Sequence, residues 1–470
     1  MLQYRLCNEL GGVVVMFSRY KKVVNYTLLC AIVFVTFFGS FQKVEASIDL
    51  VAESAILVDA NTGKVLVEKN ADVMLPPASM SKMMTEYLVL EAIHNGTIAW
   101  DQTVPISSFI SNMSHQAGSS NVFLDPDEAY TVKDLYEAMA IESGNAATIA
   151  LSELIAGGSY ARFVERMNEK AAEMELGEYS FVNSTGLPNR SYRGQHVAGT
   201  ENDENRLSAR ATAKLAFHLI NDFPEMLDTA SIPMMRFQGE VLTGVDSQAC
   251  LNDWTCMRNW NEMLPGLKHE YQGMLGLKTG YTNEAGYCFT GVAERNGVTL
   301  ISVVMRLKDL DDRFTETQRL MDYGFNNFVQ QEVHLEDLFE EGVATIPVVN
   351  GKAREVKISA SEPLKVLVKS GEEEALEPLL EIDPALMTDD GELKAPIEQG
   401  VVIGTLSAVN KSDTEYGHLF GHELPHEIVF VETAEDVERA GFFSRGMRGI
   451  GGFFSNVWTS VADTVKGWFN

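Results

Sequence analysis

Basic charge is what this 470-residue chain has least of. Its 37 Lys and Arg stand against 66 Asp and Glu, a formal net charge of −29. The shortage deepens past residue 46, where 32 basic groups face 64 acidic ones. A nucleic-acid-binding surface must be basic, so nucleic acid is excluded as a partner. The same excess repels the body of the protein from an anionic membrane, so any membrane contact must be local. Cysteine is scarce: Cys7, Cys30, Cys250, Cys256 and Cys288. No pair has a zinc spacing. Cys250 and Cys256 either close a small disulfide loop or stand as independent thiols. Cys288 reads as a small core residue in a strand. A long apolar run is also missing near the start: residues 28–38 make only eleven in a row, short of the ~20 that a spanning helix needs.

The length suits two or three domains. Residues 1–46 read as a secretory leader, with Arg19, Lys21 and Lys22 as its basic start and Val44-Glu45-Ala46 as its cleavage site. An uncleaved anchor is the alternative, and translation can start at Met1 or Met16. From 47 to 329 helices and strands alternate. A hairpin is expected over 54–68, turning at Asp59-Ala60-Asn61-Thr62-Gly63. An apolar helix follows over 83–93, and another pair over 131–155 breaks at Ser143-Gly144-Asn145. Further on come a helix over 207–220, antiparallel strands between 276 and 305, and a helix over 312–328. Residues 330–434 change to short β segments with acidic loops, a separate small β domain. His418, His422 and His426 are spaced by four, but Gly421 and Pro425 break any helix that would align them, so no metal site is expected. In the last segment, 435–470, apolar and aromatic residues from Phe443 to Trp468 step by three or four. Arg445, Arg448 and Lys466 against Asp463 make it cationic. That pattern suits a helix lying in a membrane interface; packing on its own domain or on a second copy is the alternative.

Three short strings carry chemistry. In Pro77-Ala78-Ser79-Met80-Ser81-Lys82, Pro76-Pro77 marks a helix start, where backbone N–H groups favour developing negative charge. Ser79 and Lys82, three apart, share a helix face. A serine is a poor nucleophile until a base takes its proton, and a lysine is a base only when burial or a nearby cation lowers its pKa. Alone the pair means little, since Ser18 and Lys21 repeat it. Ser143-Gly144-Asn145 is by itself a helix–helix corner, and Ser119–Asn121 repeats its Ser-x-Asn pattern. Lys278-Thr279-Gly280 falls on a strand, where Gly280 lets a substrate backbone lie close.

In this order the three match the S-x-x-K, S-D-N and K-T-G set, with Ser-Gly-Asn in second place. The sequence resembles the D-alanyl-D-alanine carboxypeptidases among the low-molecular-mass penicillin-binding proteins. The likeness extends through Met83-Met84-Thr85, Gly276-Leu277, Tyr281-Thr282, the β domain and the amphipathic tail. It implies an α+β fold: a β-lactamase/transpeptidase-like domain of antiparallel sheet and helices, then a small all-β domain. It implies removal of the terminal D-alanine from peptidoglycan stem pentapeptides, with no cofactor or metal. Ser79 would attack and Lys82, kept neutral by burial and by Lys278, would take its proton. Ser143 and Lys278 would relay that proton to the leaving amine. Asn145 would orient Lys82 and the substrate amide. The N–H groups of Ser79 and Tyr281 would hold the oxyanion. Thr279 and Arg313 would receive the terminal carboxylate, beside Gly280. β-Lactam antibiotics would acylate Ser79. The enzyme would work outside the cell, tethered to the membrane surface by its tail, with the β domain as a spacer.

The rivals are a β-lactamase, a non-catalytic wall-binding adaptor and a transpeptidase. Against the first, Glu204-Asn205-Arg206-Leu207-Ser208 lacks the final Asn of a Glu-x-x-Leu-Asn motif.

Overall fold

The computed structural model describes residues 48–242, 253, 255–339, 342–412, 416–421 and 428–441. The expected leader and the amphipathic stretch after 441 lie outside these residues, as do Cys250, His422 and His426.

A five-stranded antiparallel sheet organises the first domain. Its strands are β1 (Ser54–Asp59), β2 (Val65–Lys69), β3 (Met274–Thr282), β4 (Gly286–Arg295) and β5 (Val298–Leu307), in the order β2-β1-β5-β4-β3. The first hairpin forms where expected because Asp59 Oδ2 accepts from Thr62 N and Oγ1, at 3.1 and 2.6 Å, and Gly63 supplies the positive φ. β1 is buried on both faces. Ile56 and Val58 join a large helical core, whereas Leu57 and Leu300 pack close to Gly324 on the other side. That two-sided burial is why its sequence runs apolar instead of alternating.

Helix α1 (Lys82–His94) passes through the middle of the helical layer, almost wholly buried. Its sequence therefore has apolar residues all round. Around it stand α2 (Val132–Ala140), α3 (Asn145–Ile155) and α4 (Ala209–Asp222); α5 (Asp312–Asn327) covers the far face of the sheet. A reciprocal box starts α2: Asp134 N donates to Thr131 Oγ1 (3.1 Å) and Thr131 N to Asp134 Oδ2 (2.8 Å). Cys288 is a free, buried thiol, and Cys256 is in a disulfide.

The second domain is all β, as expected. Strands β6 (Phe328–Val333) and β9 (Leu364–Lys369) pair together. β7 (Thr345–Val349), β8 (Glu355–Ala360), β10 (Leu376–Ile382), β11 (Leu393–Lys394), β12 (Val402–Asn410) and β13 (Val429–Thr433) form a six-stranded sheet in the order β10-β12-β13-β8-β7-β11. Residues 435–440, expected in the terminal segment, belong here. Val437 is in this domain's core and exchanges backbone bonds with Ile397. The two domains meet at the β1–β2 turn. Val65 N donates to Gly417 O (2.7 Å), Leu419 N to Gly63 O (2.8 Å), and Lys64 Nζ to Leu367 O (3.1 Å). Among the described residues no helix is long and apolar enough to cross a membrane.

Candidate active site

Ser79 sits in a 3-10 turn, Ala78–Ser81, that leads directly into α1 at Lys82. Lys82 is only 1 % exposed. Its Nζ lies 2.8 Å from Ser79 Oγ, 2.8 Å from Asn145 Oδ1 and 3.1 Å from Thr185 O. Two of these neighbours, an amide oxygen and a carbonyl, can only accept. A neutral amine has two N–H donors and one lone pair. The donors go to Asn145 and Thr185, and the lone pair is left facing the serine hydroxyl. Burial, and then the positive Lys278, holds the Lys82 pKa well below its ordinary value. The arrangement suits a lysine that takes a proton from Ser79.

The orientation of Asn145 is fixed from its other end. Its Nδ2 donates to Ser120 O at 3.1 Å and to Ser119 Oγ at 2.7 Å, and a carbonyl cannot be satisfied by a flipped amide. Asn121 Oδ1 accepts from Ala146 N at 2.8 Å. The Ser119–Asn121 string, a chance repeat in the sequence, thus buttresses the segment it resembles. Ser143 holds a left-handed backbone, φ +63°, at the corner between α2 and α3. Its Oγ is buried without a hydrogen-bond partner.

Strand β3 brings the third string opposite. Lys278 and Gly280 face the helical layer; Thr279 and Tyr281 face the cleft, as period two requires. Burial lowers the Lys278 pKa to about 8; Glu86 and Glu142 pull it up, while Arg313 pushes it down. Both carboxyls are themselves raised to about 7 by burial. Glu86 accepts from Tyr136 Oη at 2.8 Å, and Glu142 Oε2 from Arg258 N at 3.0 Å. At Gly280 the missing side chain is also needed by the protein itself. A Cβ there would lie 2.4 Å from Pro77 O and 3.3 Å from Ala78 Cβ. Its missing side chain makes room for the turn that carries Ser79.

A cavity of about 260 Å³ joins these parts, with Ser79, Ser143, Asn145, Thr279, Tyr281 and Arg313 on its walls. Arg313 is buried, its guanidinium stacked near Phe314 and Tyr287, at 4.7 and 5.6 Å from the ring centroids. Burial lowers its pKa to about 10. Sequence reasoning missed Leu187, Trp260, Tyr287 and Leu310, which also line the cavity, and the carbonyl of Thr185. A signal existed for one: Gly186, in a segment read as a plain turn, has φ +80° and no room for a Cβ, which would fall 1.8 Å from Ala78 O.

Residues 41–309 match the D-alanyl-D-alanine carboxypeptidase family, peptidase S11, and residues 336–438 match the penicillin-binding protein 5 C-terminal domain. The D-alanyl-D-alanine carboxypeptidase DacF of Bacillus subtilis is 33% identical over 423 residues, 89% of this chain and 95% of that protein. DacC of Escherichia coli is 30% identical over 437 residues, 92% and 93% of the two. Among solved structures, a peptidoglycan synthesis regulatory factor (PBP3) from Streptococcus pneumoniae aligns with TM-score 0.69 at 30% identity, over 83% of this chain and 99% of the other. Penicillin-binding protein 5 of Haemophilus influenzae aligns with TM-score 0.61 at 27% identity, over 83% and 98%. Because the likeness runs through both domains and nearly the full length of these proteins, the chain belongs to the D-alanyl-D-alanine carboxypeptidases of peptidase family S11.

Proposed function

We propose that this serine-type D-Ala-D-Ala carboxypeptidase of peptidoglycan metabolism works through an acyl-enzyme on Ser79, with Lys82 as the base. The observation that carries this is the placement of Lys82 Nζ, 2.8 Å from Ser79 Oγ and within reach of two acceptors, Asn145 Oδ1 at 2.8 Å and Thr185 O at 3.1 Å, that would occupy the two donors of a neutral amine and leave its lone pair for the serine. Ser79 attacks the carbonyl between the two D-alanines of a stem pentapeptide as Lys82 takes its proton. Backbone N–H groups of Ser79 and Tyr281 hold the oxyanion. Ser143, whose hydroxyl has no competing partner, and the cationic Lys278 pass the proton to the departing amine. Asn145 keeps Lys82 and the substrate amide in place. Thr279 and Arg313 bind the terminal carboxylate, and the Gly280 backbone supports the Ser79 turn. Water then cleaves the ester.

β-Lactams take the same route and acylate Ser79. Among the described residues lining the cleft none is a carboxylate that would hold a deacylating water, which favours a long-lived adduct over β-lactamase turnover. Mass spectrometry after incubation with penicillin, with D-alanine release from a pentapeptide, tests this for wild type and Ser79→Ala. The variant is expected to lose both the adduct and the release; unchanged release would overturn the assignment.

The same proposal places the enzyme on the outer face of the cell membrane. Residues 1–46 direct export, and the amphipathic aromatic segment at 442–470 lies in the membrane interface. The β domain serves as the spacer; the described residues lining the cleft come from the first domain. Co-sedimentation with anionic vesicles should be lost when the chain stops at residue 441.

A further inference from the structure

Trp260 is an oddity in the cleft. It is a large aromatic left 44 % exposed, yet the residues on either side of it are tied down by hydrogen bonds. Asn259 is buried and donates to Ala230 O and Ile232 O, both at 3.0 Å; its own Oδ1 accepts from Asn261 N at 2.9 Å. Trp260 Nε1 donates to Glu142 O at 3.2 Å, beside Ser143. Arg258 N and the Glu142 carboxylate join at 3.0 Å. At its other end the loop reaches the segment that carries Arg313. Ligand atoms of Glu262, His269 and Asp311 lie within 4.8 Å of one another, and Glu262 acts on the Arg313 charge. The loop thus has ties both to the corner beside Ser143 and to the segment beside Arg313, and Trp260 lines the same cavity as Thr279 and Arg313.

We propose that Trp260 is the end wall of the cleft, the residue that limits the substrate to one amino acid beyond the scissile bond. The inference rests on Thr279 and Arg313 holding the terminal carboxylate. With the carboxylate there, a further residue would run into the indole. The backbone and side-chain ties keep that ring from swinging aside. A ring held in place beside the carboxylate site can exclude a further residue. Trp260 thus contributes to exopeptidase specificity without taking part in bond making.

Three peptides test it: one ending in D-Ala-D-Ala, its C-terminal amide, and one extended by glycine after the second D-alanine. Wild type should cleave the free acid well and the glycine-extended peptide poorly. Equal rates on those two would overturn the end wall outright. In Trp260→Ala and Trp260→Leu the rate on the extended peptide relative to the free acid should rise by about tenfold or more, the discrimination that a pocket contact of this size supplies. Penicillin labelling confirms that each variant is folded. An unchanged ratio in labelled variants, while wild type still prefers acid to amide, removes the role of Trp260 alone. A wild type indifferent between acid and amide instead removes the carboxylate site at Thr279 and Arg313.

Discussion

Two lysines in one buried cleft must differ in charge for the proposed chemistry, and their surroundings separate them. Lys82 meets only neutral acceptors and a cation, so it sheds its proton well below the ordinary lysine range. Lys278 is also desolvated, but Glu86 and Glu142 restore part of its affinity, leaving it near 8. The base must be neutral and the relay charged. Acylation by penicillin should therefore rise as Lys82 deprotonates and fall as pH passes about 8. Lys278→Arg should remove that falling limb, because a guanidinium keeps its charge. A profile flat from mildly acidic to strongly alkaline pH would contradict the division. Glu86 adds a stability effect of definite sign. Its folded pKa, about 7, lies above the ordinary 4.5. The neutral acid is thus favoured in the fold, and that stability is full below about 4.5 and lost as pH rises through 7. Glu86→Gln stays neutral and can still accept from Tyr136. Relative to wild type it should gain up to about 3 kcal/mol between those limits, since one pKa unit is worth ~1.4 kcal/mol. Urea melts at pH 4.5 and 8 measure the difference. The same variant removes a carboxylate that holds the proton on Lys278, so its acylation should decline at lower pH than in wild type.

At the scale of elements, the site is a junction where three segments touch the Ser79 turn. The start of α1 supplies Lys82, β3 passes behind at Gly280, and the 183–187 turn passes at Gly186. Gly280→Ala places a Cβ 2.4 Å from Pro77 O, a backbone atom that cannot swing away. Overpacking of this kind costs about 1–3 kcal/mol. The turn must also shift, so acylation should slow more than stability falls. A thermal melt and a stopped-flow penicillin reaction on Gly280→Ala measure the two; a normal acylation rate would show that the close approach is unimportant. Gly280 also marks where sequence reasoning stopped. A glycine in a strand says that something lies close, but not whether it is substrate or the chain itself. The elements around it were legible because each has a local cause: the Asp59–Gly63 turn, the Thr131 cap, the double-sided burial of β1. Ser79, Lys82 and Ser143 were legible because nucleophile chemistry restricts side-chain type. Thr185 acts through a carbonyl, which any residue has. Trp260 and Leu187 reach the cleft from loops whose course depends on contacts distant in sequence, such as Asn259 with Ala230 and Ile232. Periodicity carries no trace of such contacts.

The whole molecule is two domains that share a small piece of core. Leu419 belongs to the β domain in sequence, yet it is buried in the apolar core of the first. Phe420 beside it meets Phe217 and His218 of α4 edge-on, at 5.6 and 5.3 Å. Backbone bonds from Gly417 and Leu419 tie this segment to the β1–β2 turn. β1 lies next to β5, and β5 next to β4, the neighbour of the β3 strand that carries Lys278. The contact is thus made on the sheet edge away from β3, which allows the domains to be coupled in stability and still leave the cleft open to a large polymer. Leu419→Ala tests the coupling. Removing a fully buried leucine costs about 2–5 kcal/mol where the cavity cannot collapse. The loss should appear in the first domain, although the substitution is made in the second. Calorimetry should show the transition of the penicillin-labelled domain falling by several degrees. Labelling of Ser79 below that transition should keep its rate, because Leu419 lies outside the cleft walls. If instead only the β domain melted earlier, Leu419 would be a local packing residue, and the domains would be joined by little more than chain connectivity.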